Sequence, residues 1–208
     1  NAHQGSPEIA LELANAIISS GADSVKFQIY FAEELLTKNH PRYEHFKKQS
    51  FPVDAWIHII KEVKRTGVNL YADLFGLKAF DVAMSSGVDG YKIHSSDLSN
   101  ERLLGMLSNT DKKVFLATGG STIPEIKCAI DVVNSLGKPS EIVLLHGFQA
   151  FPTKVEDSVL SRMAKMKEMF GGQMLGLNSA LQESIRAMQS TVTRIIVKGT
   201  VKLRVGEL

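Results

Sequence analysis

Short apolar runs alternate with amphipathic stretches along this chain. The runs are Ser24–Ile29, Val68–Asp73, Gly90–Ser95, Val114–Gly119 and Glu141–Gly147, with a shorter one at Met174–Leu177 and a possible last one at Arg194–Lys198. Each is rich in β-branched or large apolar residues and short enough to be a strand. Helical patterns lie between them. Ser6 caps the first, Pro7 occupies its first position, and it runs to about Ser20. Others cover Asp54–Thr66, Leu77–Ser86, Pro124–Leu136 and Val155–Phe170, each followed by a glycine that can take a left-handed cap. Near-continuous apolar strands alternating with helices predict a parallel sheet covered by helices. That leaves a closed barrel or an open doubly wound sheet. No glycine-rich phosphate fingerprint follows any strand, which weighs against the nucleotide-binding doubly wound fold. The expectation is an α/β protein with a parallel (β/α)8 TIM barrel, as one domain over 1–208.

The opening stretch, NAHQGSPE, reads as a loop entering a helix, so a strand is expected upstream of it. Length agrees: the chain has 208 residues, whereas such a barrel typically takes ~250. An incomplete barrel, with its first strand missing and its last units altered, is therefore expected. With 44% apolar and 22% charged residues the chain can bury a core, which excludes a disordered chain. A formal charge of +2, with no isolated basic cluster, gives no nucleic-acid footprint. No apolar run approaches the ~20 residues that span a bilayer, and no leader is readable before the first helix. Cys128 is the only cysteine, compatible with a reducing, cytoplasmic setting. It reads as inert packing, as do Trp56 and the set Met163, Met166 and Met169, whereas Lys61–Arg65 reads as a solvated helix face.

In a parallel barrel the chemistry projects from the C-terminal ends of the strands, and long loops there face the substrate. The segment Thr37–Phe51 is such a loop. Lys26 and Gln28 lie two apart in one strand, hence on one face. Asp73 ends the next. Lys92 and His94 lie two apart in the third, followed by Ser95, Ser96 and Asp97. Thr118 and Gly119 end the fourth, and His146 the fifth, with Gln149 just beyond. A buried ammonium costs several kcal/mol unless it is paired. The two lysines therefore point to a site for phosphate or carboxylate. The plainer alternative pairs Lys26 with Asp73 and Lys92 with Asp97 as structural ion pairs. His94 and His146 fit general acid–base or metal roles, but hydrogen-bonded core histidines are commoner. His3 faces either the barrel mouth or solvent.

These residues carry a resemblance. The order NAHQG, GADSVKFQ, AEEL, GYKIHSSDL, LATGG, EIVLLHG and FPT resembles the N-acetylneuraminate (sialic acid) synthase family, whose patterns run NHNG, GADAVKFQ, AEEL, YKIASGD, LSTGM, IVLLHC and YPT over residues 1–177. The resemblance implies condensation of phosphoenolpyruvate with an N-acyl amino sugar such as N-acetylmannosamine, with release of phosphate. It also implies a divalent Mn or Mg ion, small-molecule partners and an often dimeric protein. Lys26, Lys92 and Ser95 match the phosphoenolpyruvate-binding positions, and Asp97 the acid that handles water or sugar hydroxyls. Lys92 and Asp97 are thus the expected catalytic residues, with Lys26, Gln28, Asp73, Ser95, Thr118, Gln149 and Phe151 expected to bind substrate. A Schiff-base aldolase using Lys92, or a non-catalytic remnant that binds phosphoenolpyruvate, stand as alternatives.

Departures from the pattern bear on activity. Ala117 replaces a serine, Gln149 an asparagine and Phe151 a tyrosine, and Asp73 stands near the threonine of the family's STPF pattern. Asp73 would repel phosphate unless it pairs with a lysine. The family's two metal-binding histidines, in GYSDH and IIEKH, correspond to Ala180 and Gly199, and its glutamate to Val197. Neither Ala nor Gly ligates a metal through a side chain. A shifted reading frame, a degenerate non-enzyme or a wrong alignment past Leu177 would each account for this. The abrupt end of the similarity favours the first. Little or no turnover is expected of the chain.

Overall fold

The computed structural model describes residues 2–139, 141–148, 154, 156–170, 174–177, 194–197 and 201–204. They fall into two compact units, Asn1–Lys92 and Ile93–Leu208.

The first unit begins with α1 (Pro7–Ser19), where the Ser6 hydroxyl accepts from the Ile9 amide at 3.2 Å, as its sequence predicts. Next come β1 (Ser24–Tyr30), the short α2 (Ala32–Leu35), α3 (Tyr43–Gln49), α4 (Val53–Arg65), β2 (Asn69–Phe75), α5 (Leu77–Ser85) and β3 (Gly90–Ile93), whose last residue belongs to the second unit. The polar stretch Thr37–Phe51 is thus not all loop, since α3 lies inside it. β1 and β2 pair in parallel, with Lys26 opposite Tyr71 and Gln28 opposite Asp73. Alternation splits β1: Val25 and Ile29 are buried, while Lys26 and Gln28 share the other, open face.

Tertiary contacts fix these elements. Trp56 on α4 is 1% exposed and meets Phe51 at 4.9 Å and Phe27 at 5.9 Å between ring centroids. Trp56 is therefore core, as expected. Lys64 is not simply solvated: its ammonium binds Asp89 at 2.6 Å, and Asp89 also accepts from the Leu70 amide at 2.7 Å, tying α4 to β2. Glu34, in the AEEL motif, accepts from the Lys78 amide at 3.2 Å and so caps α5 from a distance. Gly76 stands at φ 97°, where a side chain would be strained and would strike the Glu34 carboxyl.

The second unit holds α6 (Glu101–Leu107), β4 (Lys113–Ala117), α7 (Ile123–Val133), β5 (Glu141–His146), α8 (Ser161–Met169) and β6 (Met174–Leu177). β4, β5 and β6 pair in parallel. Its core is made by Leu103, Leu104 and Leu107 of α6, Val114 and Leu116 of β4, and Ile126 and Val133 of α7. Four expectations are corrected here. α6 is an additional helix, capped by the Asn100 side chain on the Leu103 amide. α8 starts at Ser161, because Val159 takes a positive φ of 37° that interrupts the helix the apolar pattern suggests. Of the three methionines on that helix Met166 is buried and Met169 is exposed, and Cys128 on α7 is exposed as well. Lastly, β7 (Arg194–Val197) is a strand, but it pairs antiparallel with β8 (Val201–Arg204) in a separate two-stranded ribbon. Antiparallel pairing of neighbouring strands is what a short connection permits, since a parallel crossover needs a dozen or more residues. Among the described residues no helix is long and apolar enough to cross a membrane.

Candidate active site

Three side chains of the first unit meet. Asp73, on β2 and 1% exposed, receives the Lys92 ammonium from β3 at 2.5 Å on Oδ2. The Lys26 ammonium, from β1, stands 3.9 Å from the same oxygen. The two lysines therefore converge on one carboxylate. Lys92 pairs with Asp73 and not with Asp97, so the structural ion pairs offered as the plainer alternative are half corrected. Asp97 instead accepts from the Asn100 side chain at 3.2 Å, as part of the turn that starts α6.

The two amines are not equivalent. Lys92 is 3% exposed and held at hydrogen-bonding distance. Lys26 lies beyond that distance, and 32% of its side-chain surface meets solvent although protein atoms crowd around it. That solvent contact leaves Lys26 within reach of a small molecule. Desolvation, with the neighbouring positive charge of Lys92, brings the Lys26 ammonium down to about 8, and Asp73 opposes the shift. Water reaching the group tempers any consequence for stability.

Asp73 has a second feature. Its Oδ1 is buried and has no hydrogen-bond partner among the described residues. A buried carboxylate oxygen without a donor costs free energy, so it marks a place where a ligand group or water would be welcome. With both lysines protonated the trio carries a net charge of +1.

The other expected residues divide. Gln28 lies on the Lys26 face of β1, opposite Asp73 in the strand register. Thr118 is fully buried and its hydroxyl donates to the Leu145 carbonyl at 3.2 Å, holding β4 to β5. Gly119 passes so close to the Gly147 carbonyl that an added Cβ would stand 3.1 Å from it, which accounts for the small residue in LATGG. Ser95 sits in the short 3-10 turn Ser95–Asp97. Gln149 and Phe151 lie outside the described residues, as do Ala180 and Gly199.

Three histidines serve local structure. His94 uses Nδ1 to accept from the Ser96 amide at 3.3 Å. His146 is buried, and its Nε2 lies 2.7 Å from the Ser158 carbonyl, so Nε2 carries the proton and donates. His3 is not solvated. It is buried against Phe51 at 4.5 Å, accepts from the Gly5 amide at 3.1 Å, and is pushed below its ordinary pKa by burial.

Parallel βα units with Lys26, Asp73 and Lys92 on three successive strands define the class as a parallel-barrel protein. The closest description comes from comparison with known proteins. The model of the NeuB family matches residues 13–191, and the chain belongs to that family. The matched stretch continues past Leu177, where the readable motifs stop. An uncharacterized protein of Methanocaldococcus jannaschii is 32% identical over 168 residues, 81% of this chain and 50% of that protein. The pseudaminic acid synthase of Helicobacter pylori is 28% identical, over 81% of this chain and 54% of its own. In structure, the N-acetylneuraminic acid (sialic acid) synthetase of Leptospira borgpetersenii superposes with a TM-score of 0.78 at 23% identity, over 84% of this chain and 60% of that one. The fold is accordingly an incomplete parallel (β/α)8 barrel. The chain spans about half the length of the curated relatives it matches.

The described residues include no cluster of three or more His, Cys, Asp or Glu side chains that would hold a divalent ion, and the two positions that the resemblance sets against the family's metal-binding histidines, Ala180 and Gly199, lie outside them.

Proposed function

We propose that this chain is the phosphoenolpyruvate-binding barrel of a synthase that joins phosphoenolpyruvate to an N-acyl amino sugar of the N-acetylmannosamine kind. The products are a nonulosonic acid and phosphate, and the 208-residue chain by itself turns over weakly or not at all. Family membership and relatives named pseudaminic and legionaminic acid synthases support the substrate class. The observation that carries the reading is the meeting of Lys26 on β1 and Lys92 on β3 at one carboxylate, Asp73 on the strand between them.

Phosphoenolpyruvate has a carboxylate at one end and a phosphate at the other, and needs cations it can reach. Lys26, open to solvent and without a hydrogen bond to Asp73, is the ammonium available to such an anion. Lys92 supplies positive potential already half spent on Asp73. The resemblance assigns Ser95 to phosphoenolpyruvate and Asp97 to water or the sugar hydroxyls; Gln28 adds an amide on the Lys26 face of β1, whereas the Thr118 hydroxyl is already bonded to the Leu145 carbonyl. Asp73, near the position where the family has a threonine, reduces the attraction for a polyanion. With Ala180 and Gly199 at the histidine positions, this lowers turnover. No step is routed through a metal.

A phosphate-release assay tests this reading. The purified chain, given phosphoenolpyruvate, N-acetylmannosamine and Mn2+, is expected to release phosphate at the rate of a control lacking sugar. Sustained sugar-dependent release would overturn the low turnover, and failure of phosphoenolpyruvate to bind would overturn the site.

A further inference from the structure

The trio also has a chemistry that anion binding does not use. Lys92 cannot be a nucleophile while it is sealed from solvent and its ammonium donates to Asp73 at 2.5 Å. Lys26 differs in every respect that matters: a third of its side chain is open, its nitrogen is 3.9 Å from the carboxylate, and a second ammonium stands across that carboxylate. We propose that Lys26 is a nucleophilic amine that captures the carbonyl carbon of a small uncharged aldehyde as an imine.

The unprotonated form needed for attack is available near neutral pH, because Lys26 loses its proton at about 8 and not near 10.5. Once that proton has gone, Lys92 and Asp73 cancel, and the trio is neutral. A neutral carbonyl compound, such as an open-chain sugar aldehyde, then suits the site better than a polyanion. The Nζ lone pair attacks the carbonyl carbon, a C–N bond forms, and a proton passes from nitrogen to the carbonyl oxygen. The carbinolamine then breaks its C–O bond and leaves as imine plus water, with no oxidant or reductant. Asp73 Oδ2, 3.9 Å from the Lys26 nitrogen, is the carboxylate oxygen nearest the carbinolamine nitrogen. Asp73 is here a positioning group, and Lys26 the catalytic one.

This inference does not rest on the phosphoenolpyruvate reading, because an enol ester has no free carbonyl and binds the charged form of Lys26. The test uses the intact chain, D-glyceraldehyde as the probe and cyanoborohydride to reduce any imine, with adducts located by peptide mass mapping. The exposed Lys61 and Lys127 serve as internal standards. At pH 7.5 the Lys26 adduct should accumulate about tenfold or more faster than theirs. Its rate should level off above pH 8, while that of Lys127, held above its ordinary value by Asp131, keeps rising. Equal or slower labelling of Lys26, or a pH profile that follows the standards, overturns the proposal. Phosphoenolpyruvate binding with no selective trapping would defeat this inference alone, and trapping with no phosphoenolpyruvate binding would defeat the earlier reading alone.

Discussion

Replacing Lys92 by methionine should lower the free energy of unfolding by about 3–5 kcal/mol, the usual cost of leaving one partner of a buried ion pair alone. The side chain that suffers is Asp73, which is 1% exposed and already has one oxygen without a partner. Removing Lys92 takes away the only ammonium at hydrogen-bonding distance among the described residues and leaves Lys26 at 3.9 Å, partly screened by water. Methionine keeps the apolar stem, so lost packing is a small part of the effect. The companion variant separates the causes. With Asp73→Leu added to Lys92→Met, the orphaned charge disappears, and much of the loss should be recovered. Urea unfolding followed by circular dichroism measures both. A loss below about 1 kcal/mol in the single variant would mean that the pair is solvated and contributes little.

The second large effect is expected at Trp56. Trp56→Ala should cost about 3–5 kcal/mol, since it empties the volume shared by Phe27, Phe51 and His3. Phe27 stands between Lys26 and Gln28 on β1, so the cavity lies directly behind the open face of that strand. The loss therefore acts on the site as well as on stability. Trp56→Phe should restore most of it, because the indole N–H has no partner among the described residues and phenylalanine leaves no buried donor behind. Comparable stability of the alanine and phenylalanine variants in thermal unfolding would show that the ring's packing is not what holds this region.

Much of this architecture is legible in the sequence, because strands buried on both faces read as apolar runs and each helix has its cap. α6 escapes notice because ERLLGML spans only two turns and includes Gly105, a poor helix former. The length of α8 is overestimated because an apolar period does not report the backbone of Val159. At the site, both lysines and Asp73 stand out as charges in apolar strands. Their pairing does not: Asp97 is five residues from Lys92, whereas the actual partner is nineteen away on a neighbouring strand. Sequence distance misleads where a parallel register brings together residues one βα unit apart. The same holds for Glu34, whose partner Lys78 lies 44 residues on, so that AEEL reads as a motif without a task. His94 looks like a reactive group and caps a turn, which short-range geometry decides and residue type does not.

The account rests on Lys26 being the ammonium that an anionic ligand meets. Calorimetric titration of phosphoenolpyruvate into the chain and its Lys26→Met variant, at pH 7 and pH 9, tests that most directly. The lysine loses its charge on passing through about 8, so wild-type affinity should fall about tenfold between the two pH values. The variant should bind weakly at both. Equal affinity in the two proteins, or binding that does not change with pH, would contradict it.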